Sequence, residues 1–128
     1  MDTNVFVRFV VHDDVDQTAK ARRLILSLTP SSPGYLSLVT VAELYWVLNH
    51  TYKFSRGRLQ RIIEYLLASE ELVLQEALMI EEALGIFSEG NADFDDCLIE
   101  CCSRAAGCTA VYTFDRKAAK SAGMQLLG

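Results

Sequence analysis

The sequence predicts an α/β domain with a mostly parallel sheet, and three observations predict it. Five stretches repeat apolar residues at helical spacing, short β-prone runs lie between them, and the two kinds of segment alternate along 128 residues, a length that suits one core.

A β-prone segment at residues 5–7 stands near the start. Ala21, Leu24, Ile25 and Leu28 mark a first helix with one buried stripe. Residues 29–34 carry Pro30, Pro33 and Gly34 and read as an internal loop, after which residues 35–39 form a strand. Val41, Leu44, Tyr45 and Leu48 define the second helix, and Leu59, Ile62, Ile63 and Leu66 the third. A strand follows at residues 72–75, then a helix whose stripe is Ala77, Ile80, Leu84 and Phe87. The fifth helix spans residues 93–106 with Phe94, Cys97, Leu98, Cys101 and Ala105 facing inward and Gly107 as its stop. Residues 110–113 and 125–127 are the last strands.

Composition narrows the class. With 51% hydrophobic and 23% charged residues the chain is an ordinary globular protein rather than a disordered one. No apolar run reaches the roughly 20 residues of a membrane span, and no basic-then-apolar leader opens the chain, so a cytoplasmic protein with no membrane partner is expected. Cys97, Cys101, Cys102 and Cys108 crowd one stretch, which reads as reduced thiols rather than a disulfide framework. They lack the paired knuckles of structural zinc, and His12 and His50 lie in unrelated segments. A net charge of −5 argues against a protein that coats nucleic acid through a basic field, but it suits a cleft of carboxylates whose charge a metal inverts.

The acids fall where such a cleft would be. Asp115 follows the strand ending at residue 113, and Glu43 stands in the first turn after residue 39, both at carboxyl ends of predicted strands. Asp2 reaches the same edge if Met1 and Asp2 finish a strand. Glu43 lies opposite the stripe of its helix, a place an ordinary solvated Glu also takes. Asp93, Asp96 and Glu100 share one flank of the fifth helix, where like charges repel. The helix dipole offsets part of that repulsion, and Asn91 or Asp93 can serve as N-cap. The pattern leaves both Asp93 and Asp96 open as ligands, Asp96 bordering the buried face beside Cys97. Clustered carboxylates suit hard cations such as Mg2+ or Mn2+, which acidify water and steady charge on phosphate oxygens.

Basic residues gather as Lys20, Arg22 and Arg23 and as Lys53, Arg56, Arg58 and Arg61. Solvated helix faces account for both groups; the functional alternative is an RNA backbone track with Tyr52 or Phe54 stacking a base. Tyr45 and Trp46 read as packing residues.

Four fragments together resemble the PIN-domain ribonucleases, specifically the VapC-type toxins of type II toxin–antitoxin pairs. They are Asp2-Thr3-Asn4-Val5-Phe6-Val7-Arg8, Val41-Ala42-Glu43-Leu44, Ala92-Asp93-Phe94-Asp95-Asp96-Cys97-Leu98-Ile99 and Thr113-Phe114-Asp115-Arg116-Lys117. The resemblance covers essentially residues 1–128 as a single PIN-like domain. It implies a three-layer α/β/α fold with a mostly parallel central sheet of four to five strands. It also implies a metal-dependent endoribonuclease in which Asp2, Glu43, Asp96 and Asp115 are catalytic and bind Mg2+ or Mn2+. Asn4, Asp93 and Thr113 then support the site, and Arg116 and Lys117 are candidates for RNA phosphate contacts. Asp95 is read as a surface residue. The implied partners are RNA as substrate, a cognate VapB-type antitoxin and a second copy in a homodimer. The resemblance places a central strand ahead of Asp2, where this sequence has Met1 alone. A catalytically weak PIN-fold binding module, acting through antitoxin or RNA, is the alternative. A phosphoacceptor domain has only Asp115 and Lys117 to recommend it.

Overall fold

The computed structural model describes residues 1–128, which form two units, Met1–Gln75 and Glu76–Gly128.

The first unit opens with α1 (Thr3–Val11) and α2 (Val15–Ser27). Residues 5–7, expected as a strand, lie inside α1. The valines and phenylalanines of this stretch suit a strand by propensity, but packing on α2 and α3, which buries Phe6 and Val7, overrides it. The α1–α2 turn is fastened at His12, which adopts the left-handed conformation, and at Asp13. The Asp13 carboxylate accepts from Arg8 at 2.7 Å and from the Tyr52 hydroxyl at 2.9 Å, and the Tyr52 bond is the chief cause holding its pKa below the usual range. Asp14 then caps α2 by accepting from Gln17 N–H. Of the stripe expected on α2, Ala21 is buried, whereas Leu24 is exposed and lines a groove of about 420 Å3 between α1 and α2.

β1 (Gly34–Leu36) is shorter than expected because Ser37 caps the next helix, its Oγ accepting from Thr40 N–H. Residues 38 and 39 therefore belong to α3 (Leu38–His50), which buries Val41, Leu44, Tyr45 and Leu48 as its spacing requires. α4 (Arg56–Ala68) follows, capped by Ser55 and buried through Leu59, Ile63 and Leu66. β2 (Leu72–Leu74) pairs with β1 in parallel, Tyr35 opposite Val73. On the free edge of β1 the Met1 ammonium donates to the Tyr35 carbonyl at 2.6 Å.

The second unit is built on α5 (Ala77–Glu89) packed against α6 (Phe94–Ala105). Ile80, Ala83, Leu84 and Phe87 are buried on α5, and Phe94, Cys97, Leu98 and Cys101 on α6. Gly107 ends α6 in the left-handed region, as its place in the sequence predicts. β3 (Tyr112–Thr113), α7 (Arg116–Ser121) and β4 (Gln125–Leu126) complete the unit, with β3 and β4 parallel. Gly90 lets the α5–α6 link pass against the end of α7: a Cβ there would stand 2.8 Å from Ser121 Cβ. The Ser121 hydroxyl accepts from Asn91 N–H just beyond.

The fold is thus mixed α/β with parallel pairing, but the expected central sheet of four to five strands is absent. Two separate pairs, β1–β2 and β3–β4, stand in its place. Strands of two or three residues, cut short by Ser37 and Asp115 as helix caps, leave little edge for further pairing.

Candidate metal centre

The start of α6 is shaped by backbone rather than by a side-chain cap. Asp93 takes the extended N-cap conformation and its carbonyl accepts from Cys97 N–H at 3.1 Å, yet its carboxylate makes no capping bond. Asp95 and Asp96 fill the first turn, where the partial positive charge of unpaired N–H groups favours them. Asp95 Oδ1 accepts from Asp96 N–H at 3.1 Å. One carboxylate oxygen from each of Asp93, Asp95 and Asp96 lies within 4.8 Å of the others, and all three residues are half-buried.

Asp115 joins this group electrostatically. β3 delivers it, and the Thr113 hydroxyl accepts from its N–H at 3.0 Å. Asp115 Oδ1 caps α7 by accepting from the N–H groups of Lys117 at 2.8 Å and Ala118 at 3.4 Å. Both bonds fall on Oδ1, which fixes the carboxylate while Oδ2 takes part in neither. Burial first, and then the charges of Asp95, Asp115 and Asp93, push the Asp96 carboxyl up to about 6. Four acids crowded so that one resists ionisation form a set of hard oxygen donors short of positive charge, and that set fits a divalent cation.

A pH dependence follows. Below about pH 6 a cation must displace the Asp96 proton, so Mn2+ affinity should rise about tenfold per pH unit up to that point and then level off. Calorimetric titration across this range checks it; a flat profile would remove Asp96 from the ligand set.

Of the other expected residues, Asp2, Asn4 and Glu43 lie in the first unit and Arg116 and Lys117 in the second. Asp2 is exposed and is the N-cap residue of α1 without a capping bond. Its neighbour Met1 is held by Thr40, whose hydroxyl donates to the Met1 carbonyl at 3.4 Å. Glu43 follows Thr40 by three residues on the same face of α3 and is exposed, one turn later in the helix than expected because α3 begins at Leu38. Asn4 is exposed on the first turn of α1 and lines the α1–α2 groove. Arg116 and Lys117 are exposed in the first turn of α7.

Sequence reasoning missed one residue. Asp95, taken as a surface residue, is half-buried within the cluster; its place in the first turn was the available signal. Thr113, expected as a supporting residue, accepts from the backbone of Asp115, an i to i+2 pattern that polar residues before a helix often adopt. The four cysteines form no disulfide, and burial pushes the Cys101 and Cys102 thiols up, away from the thiolate a metal would need.

Comparison with known proteins places these features. The PIN domain family model matches residues 1–123, and the chain belongs to that family. It is similar to a VapC ribonuclease of Aquifex aeolicus (strain VF5), with 29% identity over 77 residues. That alignment takes in 60% of this chain and 57% of the relative's length. No solved structure matches. No helix is long and apolar enough to cross a membrane.

Proposed function

We propose that this chain is a Mg2+- or Mn2+-dependent endoribonuclease, the toxin of a type II toxin–antitoxin pair, acting in the cytoplasm as one PIN-like domain over residues 1–128. The observation that carries the reading is the group of Asp93, Asp95 and Asp96 oxygens within 4.8 Å, with Asp115 beside it, in a member of the PIN family.

Asp96 and Asp115 are the principal ligands of this unit, with Asp93 in support. The bound cation supplies Lewis-acid stabilisation of phosphate charge and makes water more acidic. The protein's own part is to hold the donors in place. The Asp115 carboxylate is pinned by two N–H groups, and its backbone is pinned by Thr113. Asp96 would hold the cation through its deprotonated carboxylate. Arg116 and Lys117, exposed beside Asp115, suit contacts with RNA phosphates. Asp2 and Glu43 serve the same chemistry, and Asn4 supports it.

Partners extend the reading: RNA as substrate, a second copy in a homodimer and a VapB-type antitoxin. A hollow of about 260 Å3 in the first unit supports the last of these. Phe6, Phe9, Leu44 and Tyr65 form its apolar lining together with Arg58 and Arg61, a chemistry suited to an apolar segment carrying acids.

The test is cleavage of single-stranded RNA with Mn2+ by the wild type and by Glu43→Gln. Loss of at least about 100-fold in the variant is expected, since removing even a supporting group of a metal site costs 10–100-fold. Unchanged cleavage would take Glu43 out of the reaction. A wild type that binds Mn2+ and a partner but never cleaves would be a binding module instead.

A further inference from the structure

The polypeptide between the last two acids of the PIN pattern carries an aromatic ring that the fold does not use. Phe114 is 79% exposed although it stands directly between Thr113 and Asp115. Val15 and Leu78 are as exposed, so exposure alone assigns Phe114 nothing; its support and its neighbours do. Gln125 N–H donates to the Val111 carbonyl and Leu127 N–H to the Thr113 carbonyl, both at 2.7 Å, so the backbone leading to the ring is held along one edge by β4. Tyr112, two residues earlier in β3, is 62% exposed as well.

The other aromatics considered for base stacking are occupied. Tyr52 gives its hydroxyl to Asp13 and meets Phe54 edge-on, and the Arg58 guanidinium covers the Phe54 ring at 3.8 Å. Phe114 has open surface, a rigid support and a place one residue from the acid that caps α7. Exposed cations follow it at Arg116 and Lys117. An aromatic face followed by cations, near a cluster of carboxylates suited to a divalent cation, matches the parts of a nucleotide: charge for the backbone, a π-face for the base.

We propose that Phe114 is the stacking platform for a nucleobase of the single strand whose phosphate lies at the aspartate cluster. This rests on the ribonuclease reading and adds to it how the strand is gripped. Because every base offers a π-face, the contact fixes position along the strand without choosing sequence.

Binding of a fluorescently labelled single-stranded RNA, read by anisotropy with Ca2+ in place of Mn2+, tests the proposal. Phe114→Ala should weaken binding roughly 5- to 100-fold, the range for losing one base–aromatic stack, while Phe114→Trp keeps the wild-type affinity. Against RNA made of abasic nucleotides the wild type and Phe114→Ala should bind alike. The site is on the surface, so circular dichroism should show both variants folded. Equal affinities for wild type and Phe114→Ala, in a protein that cleaves RNA with Mn2+, would overturn the platform and leave the nuclease standing. A change of sedimentation with unchanged RNA affinity would overturn it in favour of a second copy covering the ring. A wild type that neither binds nor cleaves RNA would overturn both readings.

Discussion

Asp96→Asn is expected to abolish Mn2+ binding and cut RNA cleavage by at least about 100-fold, while making the metal-free protein more stable at pH 8. The two effects share one cause. The Asp96 carboxyl is pushed from the usual 3.8 to about 6 by burial first, then by Asp95, Asp115 and Asp93. A carboxyl whose pKa rises on folding stabilises the fold through its protonated form. That contribution is complete below 3.8 and is lost as pH climbs through about 6. At pH 8 the wild type therefore carries a charge its surroundings oppose. Asparagine keeps the shape and removes the charge. Screening by solvent around a half-exposed group keeps the gain to the order of 1 kcal/mol, so thermal unfolding without metal should shift up by roughly 3–5 °C. At pH 4 the two proteins should unfold at nearly the same temperature. A metal-free Asp96→Asn protein less stable than wild type at pH 8 would show that charge crowding is not what the cluster stores.

The trade between stability and metal binding explains why the site was only partly legible in the sequence. Spacing put Asp93, Asp96 and Glu100 on one flank, but Glu100 is buried in an ion pair with Arg104 at 3.3 Å. Asp95, one position from the flank, is drawn into the cluster because the first turn of a helix presents consecutive residues around its N-terminus. The sequence pattern could not distinguish these cases, since i, i+3 and i, i+4 spacing describes the middle of a helix and not its first turn.

The elements show a similar division. Apolar stripes placed α3 to α6 because each of those helices buries one face. α1 escaped because Val5, Phe6, Val7, Phe9, Val10 and Val11 leave little polar contrast from which a period could be read, and β-branched residues tilt such a run toward strand. α7 escaped for a different reason. Its start signal is Asp115, a residue already given a chemical role, and its six residues contain a single buried side chain, Ala118. The strands were located, but how many join one sheet depends on backbone edges that side-chain patterns do not report.

Phe94→Ala should be the most damaging single substitution in the second unit, with a loss of about 3–5 kcal/mol in unfolding free energy. Phe94 is fully buried and meets Phe87 edge-to-face, with ring centroids 5.9 Å apart and an interplanar angle of 84°. Alanine forfeits the transfer energy of the ring, leaves a cavity between α5 and α6, and removes an aromatic pairing of about 0.5–1.5 kcal/mol that is contained in that total. Against the roughly 5–15 kcal/mol typical of folded domains, this is a large fraction. The position gives the loss a functional consequence, because Phe94 lies between Asp93 and Asp95. The ring that anchors α6 in the core also holds the first turn that displays the acids. Urea denaturation should show the deficit without metal, and saturating Mn2+ should recover part of it, about 2.7 kcal/mol at a hundredfold excess over Kd, because the cation binds only the folded cluster. Phe94→Leu keeps most of the volume and should lose less than alanine. If Phe94→Ala unfolded within about 0.5 kcal/mol of wild type, the coupling between the core and the acid cluster would fail. A full loss with no recovery in Mn2+ would show that the folded variant no longer holds the acid cluster, so that the ring is needed for the metal site as well as for the core.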